Sequence, residues 1–463
     1  MSCQLSLAKL NNFITSKVFN LSPSNLTQGV LGITTDSRTL KPGEVFLALR
    51  GENFDGHNFA KTALEQGASA LILEEDSSLE LSTEVPLFYV ENTLAAYQQI
   101  AREWRNCFDI PVIGITGSVG KTTTKELIAT VLSTQGQVLK SQANYNNEIG
   151  VPKTLLELGA KDDFAVIEMA MRGLGQIAEL AQVAIPTIGV ITNVGTAHIG
   201  LLGSREAIAQ AKCELLAEMP QTSVAVLNHD NQLLIDTAAQ VWSGETITFG
   251  LEGGDIQGKL LDPQTMLVAG MELPLPLIGR HNALNYLAAL AVAKILNIDW
   301  SSFAQNLIVN MPKGRAKRYE LSQDVVILDE TYNAGTESMI AALHLLKETP
   351  GKRHIAVLGT MKELGEKSPQ LHNQVGGVVQ ELDLDYLLVL KDDSEAQGIA
   401  DGAKNIPTEC FTTHHELNQA LQQLVKPGDR LLFKASNSVG LNKVVEVFKK
   451  EWEVGKQGGE LGS

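Results

Sequence analysis

Cysteine is scarce in this chain: four in 463 residues, at positions 3, 107, 213 and 410, with no Cys-x-x-Cys pair. A disulfide framework and a thiolate zinc site are therefore poorly supported, and the usage suits a reducing cytoplasm. Positive charge is short as well. The 37 Lys and Arg stand against 53 Asp and Glu, and the net charge of −16 argues against a broad nucleic-acid-binding surface. It leaves room for an anionic ligand, because a nucleotide needs only local donors and a helix N-terminus. Long apolar runs are missing too. No stretch approaches the roughly 18 apolar residues of a membrane span. The amphipathic start, MSCQLSLAKLNNFITSKVF, has no basic segment followed by an apolar block. No nucleic acid, no stable membrane insertion and a cytoplasmic location are expected.

What is present is a turn-rich globular composition, 44% hydrophobic with 40 Gly, in a chain long enough for about three domains. Short apolar runs alternate with helix-length amphipathic segments, the pattern of α/β domains with parallel sheets. Strands are expected at Val45–Leu49, Ala70–Leu73, Pro111–Thr116, Phe164–Glu168, Thr187–Thr192, Val224–Leu227, Val325–Asp329, His354–Leu358, Tyr386–Leu390 and Arg430–Lys434. Helices are expected at Thr122–Thr134, Ser204–Ala217, Ala283–Leu296, Thr336–Leu346 and His415–Leu424. Breaks near Asn106–Ile110 and Met311–Arg315 predict domains at 1–107, 108–313 and 314–463. Residues 251–277 read as a hairpin excursion of the central domain, and the Gly-rich tail Gly455–Ser463 as mobile.

The strongest local signal is Gly117-Ser-Val-Gly-Lys-Thr122, set between a buried-strand run and an apolar-periodic helix. In that context glycines let backbone N–H groups close on phosphate, Lys121 reaches the β/γ-phosphates and Thr122 can hold Mg²⁺. The strict pattern asks for Gly at 115, where this chain has Ile, so the loop is a shorter G-x-x-G-K-T form. The alternative, a glycine turn with an incidental Lys, fits poorly with the helix that Thr122-Thr-Thr124 opens.

Other features are weaker when taken singly. Phe164–Glu168 ends an apolar strand in a carboxylate, where parallel sheets place ligands. His198 follows another strand, and a lone His there is more often structural. Lys212 falls on the apolar stripe of its helix with Ile208, Leu215 and Leu216, and spacing alone favours a side chain that snorkels from the edge. Buried instead, its amine would tend to lose its proton and become open to modification. The run Asn144-Tyr-Asn-Asn-Glu-Ile-Gly150 is read equally well as a turn and as a ligand contact.

Together these pieces resemble the Mur ligase superfamily over nearly the whole chain. The resemblance rests on Thr35-Asp36-Ser37-Arg38, PGEVFLAL and GENFDGH in the N-terminal part. In the centre it rests on ITGSVGKTTTKEL, NYNNEIGVPKTLLEL, GVITNVGTAHIGLLGS, AKCELL and Gly279-Arg-His-Asn282-Ala-Leu-Asn285. In the C-terminal part it rests on Gly314-Arg315, LDETYNA and GTMKELGE. It is strongest toward members that add D-alanyl-D-alanine to UDP-N-acetylmuramoyl-tripeptide.

That resemblance implies a UDP-sugar domain, a central P-loop ATPase domain and a C-terminal Rossmann-like domain. It assigns Thr116, Gly117, Ser118, Val119, Gly120, Lys121, Thr122, Thr123, Asn282, Arg315 and Asp329 to ATP. Ser37, Arg38, Asn146 and Asn147 are assigned to the UDP-linked substrate. Two Mg²⁺ ions are implied, on Thr122, Glu168, His198 and Lys212, the last as a carbamate formed with CO₂. Catalytic roles fall to Lys121, Lys212, His198 and Lys362, in a monomer. The implied reaction activates the tripeptide carboxylate as an acyl phosphate, which the dipeptide amine then attacks. Departures from the pattern are Val119, Gly335-Thr336 and Ala435-Ser436-Asn437. Three rivals stand beside this reading. One is the ligase adding the third stem-peptide residue, whose diaminopimelate-adding members carry an Asp-Asn-Pro-Arg signature missing here; the others are a folate polyglutamate ligase and a non-catalytic nucleotide-binding paralogue.

Overall fold

The computed structural model describes residues 5–457 except 78, 80, 82 and 304–306. The expected mobile tail lies, from residue 458 on, outside the described residues; before it the chain ends in the helix Leu441–Gln457.

Three sheets organise the chain, and each grows from short β-branched and aliphatic runs too apolar to face water. The first has five strands in the order Lys17–Phe19, Leu87–Val90, Ala70–Glu74, Val45–Leu47 and Ile33–Thr34, all parallel except the outermost Lys17–Phe19. The helix Thr93–Arg105 follows, capped by Asn92, whose side chain accepts from the Ala95 N–H. The third sheet has six strands, from the antiparallel edge Lys317–Leu321 through Val325–Asp329, Asp429–Lys434, Arg353–Gly359 and Tyr386–Leu390 to Thr408–Phe411.

The middle sheet has nine strands. Val112–Thr116 lies between Phe164–Glu168 and Ile188–Ile191, parallel to both. The chain winds first to one side of this strand and then to the other. That reversal opens a crevice at the carboxyl ends of the strands, where open α/β sheets take their ligands. Val112–Thr116 is buried along its whole length, as expected of a parallel strand covered on both faces. The helices Lys121–Leu132 and Arg280–Ile295 pack together on one face, burying Leu127, Ile128, Val131, Tyr286, Leu287 and Leu290 in one core. Gln176–Ala184 and Arg205–Glu218 pack together in the core that covers the other face.

One expectation needs correction. Residues 251–277 do contain hairpins, but they are not an excursion from the domain. Ile256–Asp262 joins the sheet edge parallel to Glu245–Gly250, and Thr265–Val268 and Met271–Pro274 extend it antiparallel. The buried residues Ile256, Met266, Val268 and Leu273 join the core beneath Arg280–Ile295, so this apolar face continues the sheet. Among the described residues, no helix is long and apolar enough to cross a membrane.

Candidate active site

The turn after Val112–Thr116 is shaped by two glycines. Gly117 has φ +147°, and a Cβ on it would lie 1.9 Å from Thr192 Oγ1, so only glycine fits this close approach. Gly120, at φ +84°, caps the helix Lys121–Leu132, whose first turn points its N–H groups into the crevice. The loop is clamped by the next strand end. Ser118 N–H donates to Asn193 O (3.0 Å), and Val119 N–H donates to Asn193 Oδ1 (3.0 Å). Val119 O accepts from Thr192 Oγ1 (2.6 Å) and from Asn193 Nδ2 (3.0 Å).

Lys121 curls back over this loop, its Nζ donating to Gly117 O (2.7 Å) and Ser118 O (3.4 Å). Burial pulls its pKa below the ordinary lysine value; Glu168 opposes that shift and Arg315 adds to it. Thr122 Oγ1 donates to Glu168 Oε2 (2.9 Å), joining the first helical turn to the end of Phe164–Glu168. Thr123 is buried in the same turn, and Thr116 Oγ1 at the strand end is buried without a hydrogen-bond partner. Glu168 Oε1 accepts from Asn146 Nδ2 (2.8 Å), so this member of the Asn-rich run faces the same carboxylate. Asn147 instead accepts from Gly150 N–H (2.9 Å) and closes its own turn.

Lys212 overturns the reading that spacing favoured, a side chain snorkelling from the edge of the stripe. The helix Arg205–Glu218, capped by Ser204, turns Ile208, Lys212, Leu215 and Leu216 inward together. Lys212 is 0% exposed and its Nζ has no hydrogen-bond partner, so it does not snorkel. Burial first and Lys121 second drive its pKa well below the normal lysine value, favouring the uncharged amine. His198 is likewise held at about 4, by burial and then by Lys121 and Lys212. Its Nδ1 lies 2.7 Å from Glu363 Oε2 of the third sheet's loops.

Other predicted residues sit around this centre with different degrees of engagement. Asn282 lies buried in the first turn of Arg280–Ile295, its Nδ2 donating to Ile278 O (2.8 Å). Arg315 stacks its guanidinium 4.0 Å from the Tyr332 ring centroid and leaves Nε buried without a partner. Asp329 turns its carboxylate onto Thr331 (2.6 Å to Oγ1), and burial raises its pKa. Lys362 is ion-paired with Asp392 (2.9 Å) and Asp393 at the ends of the third sheet's strands, and the loop contact to His198 comes from its neighbour Glu363. Ser37 and Arg38 lie in the first domain. Ser37 is buried, and Arg38 pairs with Asp36 (2.7 Å) and lowers its pKa, with a smaller contribution from the charge of Lys153, beyond the Asn-rich run.

Sequence reasoning missed several participants. Lys125, 1% exposed, donates to Ser141 O (2.8 Å) and stands 3.8 Å from Glu168 Oε2. Ser141 Oγ accepts from Glu168 N–H (3.0 Å), and Asn285 Oδ1 accepts from Thr124 Oγ1 (3.2 Å). Glu337 and Glu363 reach in from the third domain. Lys125 could have been suspected from its position, four residues after Lys121 in a helix with no solvent face; the carboxylates carry no local signal. Among the described residues no group of three His, Cys, Asp or Glu is arranged to hold a metal ion.

Comparison with known proteins follows this geometry closely. Residues 30–105 match the Mur ligase family, catalytic domain model; 115–293 match the Mur ligase middle domain; 314–437 match the Mur ligase, glutamate ligase domain. The UDP-N-acetylmuramoyl-tripeptide–D-alanyl-D-alanine ligase of Synechocystis is 57% identical over 454 residues, 97% of this chain and 99% of that protein. The Bacillus subtilis ligase of the same name is 34% identical, covering 90% of this chain and 92% of its own length. MurF from Acinetobacter baumannii superposes with a TM-score of 0.87 at 29% identity, over 97% of this chain and 99% of that one. MurF from Thermotoga maritima, solved in complex with ADP, gives 0.82 at 33% identity, over 91% and 97%.

Proposed function

The chain belongs to the Mur ligase family, and we propose that it joins D-alanyl-D-alanine to UDP-N-acetylmuramoyl-tripeptide at the expense of ATP, releasing ADP and phosphate. One observation carries the chemistry: a phosphate loop whose Lys121 and Thr122–Glu168 pair share a crevice with a partnerless, fully buried Lys212. The identity of the acceptor is supported by relatives matched over almost their whole length.

The terminal carboxylate of the UDP-linked tripeptide attacks the γ-phosphorus of ATP, and ADP leaves with the cleaved electron pair. Lys121, already desolvated over the loop, offsets the repulsion between the two anions. The amine of D-alanyl-D-alanine then attacks the acyl phosphate, loses a proton, and inorganic phosphate departs. Backbone N–H groups of Gly120–Thr122 hold the phosphates on the loop that Asn193 clamps through Ser118 and Val119, Arg315 and Asn282 contact the nucleotide, and Ser37, Arg38 and Asn146 hold the UDP-linked end. Excluding water at the crevice protects the acyl phosphate from hydrolysis.

The residues present also fit two Mg²⁺ ions: Thr122 with Glu168, and Glu168 with His198 and Lys212. The Lys212 amine, once uncharged, would take up CO₂ and release a proton, giving a carbamate. That would turn a partnerless amine into a carboxylate-like ligand, a reason for a Lys to stand fully buried at this position. Bound Mg²⁺ would supply charge neutralisation at the β- and γ-phosphates. Three sheets support divisions near 107/108 and 313/314, and the reading includes a cytoplasmic monomer.

The test is ADP release with mass analysis of the product from defined UDP-tripeptides and amines. ADP formation should require both tripeptide and D-alanyl-D-alanine. Turnover with a single amino acid as acceptor in place of the dipeptide would reject the proposal in favour of a different ligase step.

A further inference from the structure

The segment Thr192–His198 touches two bodies at once. On one side Thr192 and Asn193 grip Ser118 and Val119, and Gly195 N–H donates to Ser118 Oγ (2.9 Å). On the other side it is held by the third domain. Glu337, in the first turn of the helix Thr336–Glu348, accepts Thr196 N–H on Oε1 (2.7 Å) and Thr196 Oγ1 on Oε2 (3.0 Å). The fit leaves no slack: a Cβ on Gly195 would lie 2.7 Å from Glu337 Cδ. A second clasp lies four residues on from Thr196, where Glu363 O accepts from Gly200 N–H (3.3 Å) and Gly365 meets Gly200 backbone to backbone.

A carboxylate taking both an amide and a hydroxyl of one residue fixes that residue in direction as well as distance. Thr196 is one residue from Gly195, which bonds the phosphate loop, so a shift at either end must be felt at the other. We propose that Glu337 is a positioning residue that couples docking of the third domain to the shape of the phosphate loop through Thr196. By linkage, a nucleotide that orders the loop tightens third-domain docking, and docking tightens nucleotide binding by the same factor, on the order of tenfold. The inference rests on the nucleotide reading of the phosphate loop and goes beyond it by naming the route.

Hydrogen exchange of the full chain with and without ADP tests it. In the unaltered protein, ADP should protect peptides covering Gly117–Thr123 and also those covering Thr336–Glu348 and Gly365–Lys367. In Glu337→Ala, protection of the loop should persist while the third-domain protection is lost, and the Kd for ADP should rise about tenfold. Glu337→Gln keeps an acceptor for the amide and a donor for the hydroxyl, so it should restore the coupling. Thr196→Val removes only the hydroxyl arm and should give a partial loss. If Glu337→Ala lowers the thermal midpoint but ADP still protects the third-domain peptides, the contact is merely structural and the proposal fails. If ADP fails to protect Gly117–Thr123 even in the unaltered chain, the nucleotide reading falls first.

Discussion

Two regions of this chain look alike in sequence and differ in kind. Asp55-Gly-His57 and Gly117–Thr122 are both polar, glycine-bearing segments beside buried strands. In the first, every group finds a partner within the domain. His57 is 4% exposed, its Nε2 accepts from Glu74 N–H (2.9 Å), and its Nδ1–H therefore faces Asp55 (2.6 Å). Glu74 in turn takes Arg50 (2.7 Å) and Thr93 Oγ1 (3.1 Å). Around the phosphate loop, Thr116 Oγ1, Lys212 Nζ and Arg315 Nε are buried and have none. Buried polar groups are normally satisfied, so a closed network reads as architecture and a set of open ones as a place for a ligand.

That contrast can be broken by experiment. The largest effect is expected from Lys121→Ala, which should cut precursor-dependent ADP release roughly a hundred- to a thousandfold with the fold intact by circular dichroism. Undiminished turnover would remove the loop from catalysis. Lys212→Met should also abolish most turnover, yet raise the thermal midpoint of the ligand-free protein, because it replaces a partnerless buried amine with an apolar side chain of similar length. A lower midpoint together with normal activity would mark Lys212 as structural. Isotopic CO₂ trapping at this residue tests the carbamate directly.

His57→Ala should behave oppositely, destabilising the first domain by about 2 kcal/mol through the donors and acceptors it strands, while leaving kcat near normal. The smallest effect concerns pH. His198 and His281 are each held at about 4 by burial, against 6.5 for a free histidine. Between those values the unfolded chain binds more protons than the folded one, so stability rises with pH and is lost as pH falls from 6.5 toward 4. Calorimetric midpoints across that range should fall on acidification, and His281→Gln should flatten the slope.

Local pattern was enough for the α/β class, the three-part division as an expectation, the phosphate loop and the placement of Lys212 on an inward stripe. Strand length, helical period and glycine position are set by a few consecutive residues, and these are written plainly in Val112–Thr122 and Ile208–Leu216. Residues 251–277 misled because a short strand at a sheet edge and a free hairpin share the same alternation; only the neighbour, Glu245–Gly250, distinguishes them.

What tertiary structure alone decided is partnership. Spacing put Lys212 on the apolar side but could not say whether its amine reached water, since that depends on the elements packed above it. Nor could any local signal connect Thr196 to Glu337, 141 residues away, or His198 to Glu363. Hydrogen-bond satisfaction is a property of the folded whole, and around the phosphate loop the unmet bonds of Thr116, Lys212 and Arg315 coincide with the motif that the sequence already showed.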